Sequence, residues 1–277
     1  MIGLYRLSII VPVYNRVDLF DRCIQSLINI NIPNNEYEII IVDDYSDNNF
    51  SEIYKSYETE NVKYLRLNKR TGMGQARIEG LNYSKSPYVA FVDSDDYVDP
   101  DFHKILLETL ENDKKCSLSI GPIIDWCSIS NTHKITYKPY NNIIKKEQFI
   151  DYFMRGGIDP HCMVIWNKVI KRELLEGLNL PIGKTASEEF GYMFPIKDRM
   201  NYARIVNMDS YYWWTQTTVP IQEKYAYFTL GILENLYNFS KRDDLTPKQR
   251  TYLFDVIRYA KAANRQYLRT HDSIPEC

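Results

Sequence analysis

The sequence predicts an α/β protein with a mostly parallel, mixed central sheet flanked by helices and a helical tail at the C-terminal side. Three observations carry this prediction. Short apolar, β-branched runs alternate with helix-period segments through the first half. Acidic loops follow two of those runs directly, and a glycine-bearing loop lies after a third. The 277 residues are 44% hydrophobic and 25% charged, enough apolar material for a core and too much for a disordered chain.

Taken in order, residues 7–13 form a short β-branched run whose Pro12 predicts that regular pairing ends there. Residues 17–28 carry apolar side chains at helical spacing, and 38–42 is nearly all apolar, as in a strand covered on both faces. A helix over 50–57, a strand over 62–67, a helix over 74–83, a buried strand over 88–92 and a helix over 100–111 complete this half. Beyond it, 117–126 reads as one strand, 145–154 as a helix and 201–208 as a strand, while 164–175 fits either period. From Ile221 the chain reads as helical. Thr246-Pro247-Lys248-Gln249 is a helix start, with Thr as cap, Pro at the first position and Gln three after the cap. No repeat or flexible linker interrupts the sequence, so one continuous domain with a helical tail is expected.

Composition excludes several classes. Lys and Arg number 34 against 36 Asp and Glu, so a net charge of −2 offers no field for a nucleic-acid backbone. No apolar run approaches the ~20 residues of a membrane span, and the first residues lack a basic-then-apolar leader layout, which gives the expectation of a cytoplasmic protein. Cys23, Cys116, Cys127, Cys162 and Cys277 are odd in number without CxxC spacing, which predicts free thiols rather than a zinc site or disulfide frame. The 23 tyrosines suit surfaces that grip sugars or meet lipid headgroups.

In open α/β sheets, ligands bind beyond the carboxyl ends of the strands. Asp43-Asp44 follows one apolar run, Asp93-Ser94-Asp95-Asp96 follows another, and Arg70-Thr71-Gly72-Met73-Gly74 links a strand to a helix. In an extended segment Asp93 and Asp95 point to one face, where two carboxylates repel unless a cation or donors lie between them. Such an oxygen-rich pair suits Mg²⁺ or Mn²⁺, and equally reads as a solvated turn. Asp43-Asp44 reads as a ligand contact or a cap, and Gly72 as an anion-cradling amide or a residue supplying positive φ. Three such loops at one sheet edge favour the ligand reading.

Ser8-Ile9-Ile10-Val11-Pro12-Val13-Tyr14-Asn15, Ile41-Val42-Asp43-Asp44-Tyr45-Ser46, the stretch from Asn68 through Ala76-Arg77 to Gly80, and Phe91-Val92-Asp93-Ser94-Asp95-Asp96 occur in this order. Together they resemble the family 2 glycosyltransferases of GT-A fold, which are inverting, metal-dependent and use nucleotide sugars. The likeness is close over roughly the first 100 residues and thins beyond. It implies a nucleotide-sugar half over 1–115, an acceptor half over 116–220 and a helical region over 221–277. Pro12, Tyr14 and Asn15 would line the base and ribose pocket, with Asp43 at the uracil edge of a UDP-sugar and Asp44, Gly72 and Ser94 nearby. Asp95 would hold Mn²⁺ or Mg²⁺, with Asp93 beside it or near the ribose, and Arg77 would steady the donor or the acidic cluster.

The family's general base is an Asp of a Glu-Asp pair downstream of Trp-Asn-Lys. Here Trp166-Asn167-Lys168, expected at the acceptor side, precedes Glu188-Glu189, so Glu189 takes the place of the usual Asp and Glu188 is the alternative. The family often carries a basic residue just after tyrosines such as Tyr211-Tyr212, where this chain has Trp213-Trp214-Thr215-Gln216. Trp213 is then an acceptor platform or part of the core. His161 reads as structural rather than metal-binding. The resemblance implies transfer of a sugar to a glycan or lipid-linked glycan of a bacterial surface polysaccharide such as capsule or O-antigen. A catalytically weak nucleotide-sugar-binding module is the alternative, and a dinucleotide oxidoreductase is excluded because no GxGxxG follows the first strand.

The tail carries Leu253, Val256, Ile257, Ala260, Asn264 and Tyr267 on one face and Arg258, Lys261, Arg265 and Arg269 beside it. It reads as a peripheral anchor on anionic lipid or as a helix packed on the core, diluted by Asp243, Asp244 and Asp255. A helical tail ending at Cys277 with no further domain gives the expectation of single-sugar addition, or of a soluble polymerase partner, rather than polymer synthesis through a membrane channel. A homo-oligomer is left open.

Overall fold

A computed structural model describes residues 5–127, 132–135, 143–154, 164–178, 189–210, 212–216, 237 and 240–270. Strands β1 (Leu7–Val13), β2 (Tyr37–Asp43), β3 (Val62–Arg66) and β4 (Tyr88–Phe91) alternate with helices α1 (Phe20–Ile28), α2 (Asn48–Lys55) and α3 (Met73–Tyr83). A two-residue strand β5 (Tyr97–Val98) and helix α4 (Phe102–Asn112) follow. The later strands are β6 (Cys116–Ile120), β7 (Ile123–Cys127), β8 (Thr132–Ile135), β9 (Ile143–Lys145), β10 (Lys168–Lys171), β11 (Tyr202–Ile205) and β12 (Tyr212–Gln216). Among them lie helices α5 (Lys146–Met154), α6 (Glu189–Arg199) and α7 (Pro247–Thr270).

An eight-stranded sheet has the order β3-β2-β1-β4-β10-β6-β11-β9, and a four-stranded sheet the order β5-β12-β7-β8. β3, β2, β1 and β4 are mutually parallel, and β10 runs antiparallel between β4 and β6. The chain fills one side of β1 with β2 and β3 and then crosses to the other side with β4. The β1/β4 boundary is therefore a topological switch point, where an open sheet leaves a crevice for ligand.

Strand parity assigns the core. Ile10, Ile40, Val42, Val89 and Phe91 pack with Ala76, Ile78 and Leu81 of α3, and with residues of α5, α6 and α7. Leu7, Ile9, Val11, Ile39 and Ile41 pack with Phe20, Ile24 and Leu27 of α1 and Leu106, Leu107 and Leu110 of α4. With both faces covered, β1 and β2 bury every residue, which is why they read as unbroken apolar runs.

The structure corrects several expectations. Pairing does not end at Pro12: β1 continues beside β2 as far as Val13↔Asp43, while its pairing with β4 stops at Ile10↔Phe91. The Ile10 carbonyl faces β4, accepting from the Val92 amide, so Pro12, two residues on, turns its missing N–H to the same side. That is the side from which β4 has already departed. Residues 117–126 are two strands in different sheets, β6 and β7, separated at Gly121-Pro122. Residues 164–175 are neither one strand nor one helix: β10 passes into a 3-10 turn at Arg172–Leu174. Helix α6 was not anticipated, because Pro195 lies inside it.

The predicted cap of α7 is present. The Thr246 amide donates to Gln249 Oε1 (3.0 Å) and the Gln249 amide to Thr246 Oγ1 (3.3 Å), a reciprocal box. Leu253 and Ile257 of the tail's apolar face are buried in the core, and Gln249 Nε2 donates to Asp151 of α5. The outer face carries Arg258, exposed and paired with Asp255, and exposed Lys261. The side chains of Val256, Ala260, Asn264, Tyr267, Arg265 and Arg269 lie outside the described residues. No helix among the described residues is long and apolar enough to cross a membrane. Cys23 and Cys116 are buried free thiols, as expected; the thiols of Cys127, Cys162 and Cys277 lie outside the described residues.

Two predictions follow from this packing. Glycine inside a helix ordinarily costs about 1 kcal/mol relative to alanine. At Gly80, however, a Cβ would lie 2.5 Å from Ile10 Cγ2 and 2.9 Å from Val42 Cγ2, so Gly80 lets α3 lie close on the sheet. Gly80→Ala should therefore destabilise by about 1–3 kcal/mol, read as a lower urea midpoint. His103 of α4 is fully buried, with neither ring nitrogen hydrogen-bonded, and burial lowers its pKa to about 3. Its unfolded value is about 6.5, so between the two the unfolded chain binds more protons and stability falls as pH drops, by about 1.4 kcal/mol per unit. His103→Leu should remove this component, seen as a shallower loss of urea midpoint from about pH 7 to about pH 5 than in the wild type.

Candidate active site

The loops leaving β1, β2 and β4, and the loop entering α3, meet at the switch-point crevice. Their inner groups hold one another. Asp43 is fully buried; its Oδ1 accepts the Ser46 amide (2.8 Å), and its Oδ2 accepts Ser51 Oγ (2.7 Å) and the Tyr64 hydroxyl (2.6 Å). Burial alone would raise its pKa, but these hydrogen bonds outweigh burial and hold the carboxyl below its ordinary value. Asp44 turns toward the glycine loop: Oδ1 accepts the Thr71 amide (2.6 Å) and hydroxyl (2.8 Å), and Oδ2 accepts the Gly72 amide (2.7 Å). Gly72 has φ 92°, open to glycine at little cost, and its amide is committed to Asp44. Both acids thus organise loops, and Gly72 takes the conformational role of the two open to it.

The β1 and β2 loops are also stapled together. Asn15 donates its amide to Ser46 Oγ (3.0 Å) and accepts the Asp47 amide on its side-chain oxygen (2.8 Å). Asn15 (φ 44°) and Tyr45 (φ 64°) are both left-handed. For a tyrosine that conformation costs about 1–2 kcal/mol, and strain of this kind gathers at functional sites. Tyr45 is exposed, with Arg66 5.5 Å from its ring centre. No glycine or proline marks this position, so sequence reading passed over it. Tyr14 is exposed, with the Arg70 guanidinium 3.9 Å over its ring, and Pro12 is buried beneath.

Asp93–Asp96 is not extended. The Asp96 amide donates to the Asp93 carbonyl (3.0 Å), closing a turn with Ser94 and Asp95 at its tip. The turn is favoured because the Tyr212 hydroxyl holds both ends: it accepts the Asp93 amide (3.1 Å) and donates to Asp96 Oδ2 (2.9 Å). Burial, then Asp96 and Asp93, push the Tyr212 pKa well up, which keeps the phenol a donor. The Cys23 thiol lies 3.5 Å from the Asp93 carbonyl.

Asp93 and Asp95 remain partly exposed, at 20% and 24% of the side chain. Arg77, wholly buried, is ion-paired with Asp93 Oδ1, and Arg16 with Asp95 Oδ2. Burial, then the Asp93 charge, raise the Asp95 pKa, and Arg16 offsets part of this. Hard carboxylate oxygens under such repulsion fit a divalent cation. Among the described residues no group of three His, Cys, Asp or Glu that could hold a metal gathers, and Mg²⁺ or Mn²⁺ held by one or two carboxylates usually completes its shell with water and phosphate oxygens.

The acceptor-side expectations need correction. Trp166, Asn167 and Lys168 are buried: Trp166 stacks on Tyr212 at 4.3 Å, Asn167 Nδ2 donates to the Gly121 carbonyl (3.1 Å), and Lys168 Nζ donates to Asn167 Oδ1 (2.6 Å). They brace the scaffold and present no acceptor surface. Trp213 donates Nε1 to Asp99 (2.8 Å) and stacks on Tyr97 at 5.2 Å, so its ring already has a partner. Glu188 and His161 lie outside the described residues. Glu189 opens α6, three residues before Tyr192, whose hydroxyl donates to the Gly74 carbonyl at the start of α3 (3.0 Å); its side chain lies outside the described residues. Sequence reading missed Tyr192 and the roles of Tyr212 and Arg16.

The sequence profile described as Glycosyl transferase family 2 matches residues 8–176. The chain belongs to this family. A poly(ribitol-phosphate) beta-glucosyltransferase of Bacillus spizizenii is 41% identical over 96 residues, 34% of this chain and 15% of that protein. Glycosyltransferase GlyA of Streptococcus pneumoniae serotype 4 is 26% identical over 200 residues, 68% of this chain and 27% of that protein. The chain thus spans well under half the length of these two curated relatives. The crystal structure of Staphylococcus aureus TarS 1–349 in complex with UDP-GlcNAc has a TM-score of 0.67 at 17% identity, covering 96% of this chain and 74% of that one. The fold is GT-A, as the resemblance implied.

The Tyr212 bridge gives a prediction. Tyr212→Phe keeps the ring and its stacking but removes one hydrogen bond from the Asp93 amide and one from the Asp96 carboxylate. Stability should fall by about 1–3 kcal/mol by urea unfolding. An unchanged midpoint would mean that the turn closes without the phenol.

Proposed function

We propose that this chain is an inverting glycosyltransferase that moves one sugar from a UDP-sugar to a polyol-phosphate or glycan acceptor of a bacterial surface polysaccharide. The observation that carries this is the Asp93–Asp96 turn, with two partly exposed carboxylates at the switch-point crevice beside Tyr14, Asn15 and the buried Arg77. The Bacillus spizizenii relative named for poly(ribitol-phosphate) glucosylation supports the acceptor class, and TarS in complex with UDP-GlcNAc supports the donor class.

In this reading Tyr14, Asn15 and Ser94 contact the nucleotide, and Asp43 and Asp44 shape its pocket from behind. Asp95, with Asp93, would hold Mn²⁺ or Mg²⁺, and the cation would supply positive charge to offset that on the departing diphosphate. Glu189, or Glu188, takes the proton from the acceptor hydroxyl as its oxygen bonds to the anomeric carbon. The bond from that carbon to the UDP oxygen breaks, its electron pair leaves with UDP, and configuration inverts. Glutamate in place of the family's aspartate leaves a second reading, nucleotide-sugar binding with little turnover.

Calorimetric titration should show UDP binding that requires Mn²⁺ or Mg²⁺ and disappears in Asp95→Ala. UDP binding indifferent to metal would remove the cation from the mechanism, and no UDP binding at all would remove the donor assignment. Glu189→Gln should retain UDP binding and lose transfer by about 10²–10⁴-fold. Transfer that survives both Glu189→Gln and Glu188→Gln removes the base assignment.

A further inference from the structure

The two guanidiniums on the acidic pair differ in how they are held. Arg77 is wholly buried against Asp93 and belongs to the scaffold. Arg16 reaches from the β1 loop across the switch-point crevice to Asp95 Oδ2, and 39% of its side chain is exposed. Its main chain is fixed from behind by one buried phenol. The Arg16 amide donates to the Tyr54 hydroxyl (2.8 Å), and that hydroxyl donates to the Arg16 carbonyl (2.7 Å). The other end is fixed as well: the Asp95 carbonyl accepts Arg22 Nη2 (2.9 Å), and the turn is closed from Asp96 to Asp93. Anchored backbones at both ends with a half-exposed side chain between them leave the guanidinium as the element that can exchange.

We propose that Arg16 is a resident counter-ion of Asp95: it occupies the carboxylate while the crevice is empty, yields it to a divalent cation, and turns to the nucleotide's diphosphate. The physical reason is competition for one oxygen. A guanidinium and a divalent cation cannot share Asp95 Oδ2 without repulsion, and a diphosphate entering the crevice offers the displaced fork new bidentate acceptors. The exchange keeps the crevice close to neutral in both states. It rests on the assignment of Asp95 as the cation's ligand.

The test is calorimetric titration of MnCl₂ alone into wild type, Arg16→Gln and Asp95→Ala, followed by UDP in the presence of Mn²⁺. Arg16→Gln should bind Mn²⁺ more tightly, on the order of tenfold, and UDP several-fold more weakly. A residue that merely braced the loop would weaken both. Unchanged or weaker Mn²⁺ binding in Arg16→Gln overturns the competition, and unchanged UDP affinity overturns the transfer to the diphosphate. Mn²⁺ that binds none of the three proteins, or binds Asp95→Ala as well as wild type, overturns the cation assignment and this inference with it. Mn²⁺ binding lost only in Asp95→Ala, with Arg16→Gln equal to wild type, leaves the cation assignment intact and overturns this inference alone.

Discussion

A single buried phenol oxygen, that of Tyr212, takes the Asp93 amide and gives its proton to Asp96, and the acidic turn at the sheet edge is shaped between those two bonds. The bond partners are separated by well over a hundred residues, and the turn between them carries the chain from β4 of the large sheet to β5, which pairs with Tyr212's own strand β12 in the small one. Tyr212 is held in turn by Trp166 stacked on its face and Phe102 edge-on at 5.9 Å. The small second sheet thereby helps fix the turn through which the chain passes from the large sheet to the small one. Loss of this hydroxyl in so dry a place takes one hydrogen bond from the Asp96 carboxylate and one from the Asp93 amide together, which is why buried polar links of this kind tolerate little change.

Around this turn the polar groups divide by depth. Asp43, Asp44, Ser46, Ser51 and Thr71 spend their hydrogen-bonding capacity on one another and on loop amides. Tyr14, Asn15, Arg16, Ser94 and Asp95 lie outside them, partly or largely exposed. Rigid inner bonding lets the outer groups be presented without paying ordering entropy when a ligand arrives. In the proposed transferase, the motif acids after β2 act through the loops they hold, and the acids after β4 meet the ligand.

The first half of the fold was legible because strands buried on both faces leave continuous apolar runs, as in Ile39-Ile40-Ile41-Val42, and amphipathic helices lie between them. The second half was not, for local reasons. β5 has two residues, β9 has three, Gly121-Pro122 carries the chain from one sheet to the other, and Pro195 sits inside α6. Trp166-Asn167-Lys168 showed its residue types but not its burial, which depends on Gly121 and Tyr212 far away in sequence. The acidic motif after β4 was legible as chemistry. Its turn, and the pairing of Arg16 with Asp95, were not, because those contacts are decided by loops that only the folded sheet brings together; Arg77 at the acidic cluster was legible only through the family resemblance.

The link between α6 and α3 bears on how the two halves of the proposed reaction could be coordinated. Tyr192 donates to the Gly74 carbonyl, while the Gly72 amide two residues earlier is held by Asp44. The start of α3 is therefore tied on one side to the β2 loop and on the other to the helix that Glu189 opens. Tyr192 is three residues, close to one turn, from that helix start, so this hydrogen bond ties the glycine loop to the end of the helix that Glu189 opens. Phe91, the last residue of β4, lies 5.9 Å from the Tyr192 ring and joins the same unit to the strand that carries the acidic turn. The strand that carries the acidic turn, the glycine loop and the backbone of α6 near its start, though remote in sequence, thus meet in one packed cluster around Tyr192.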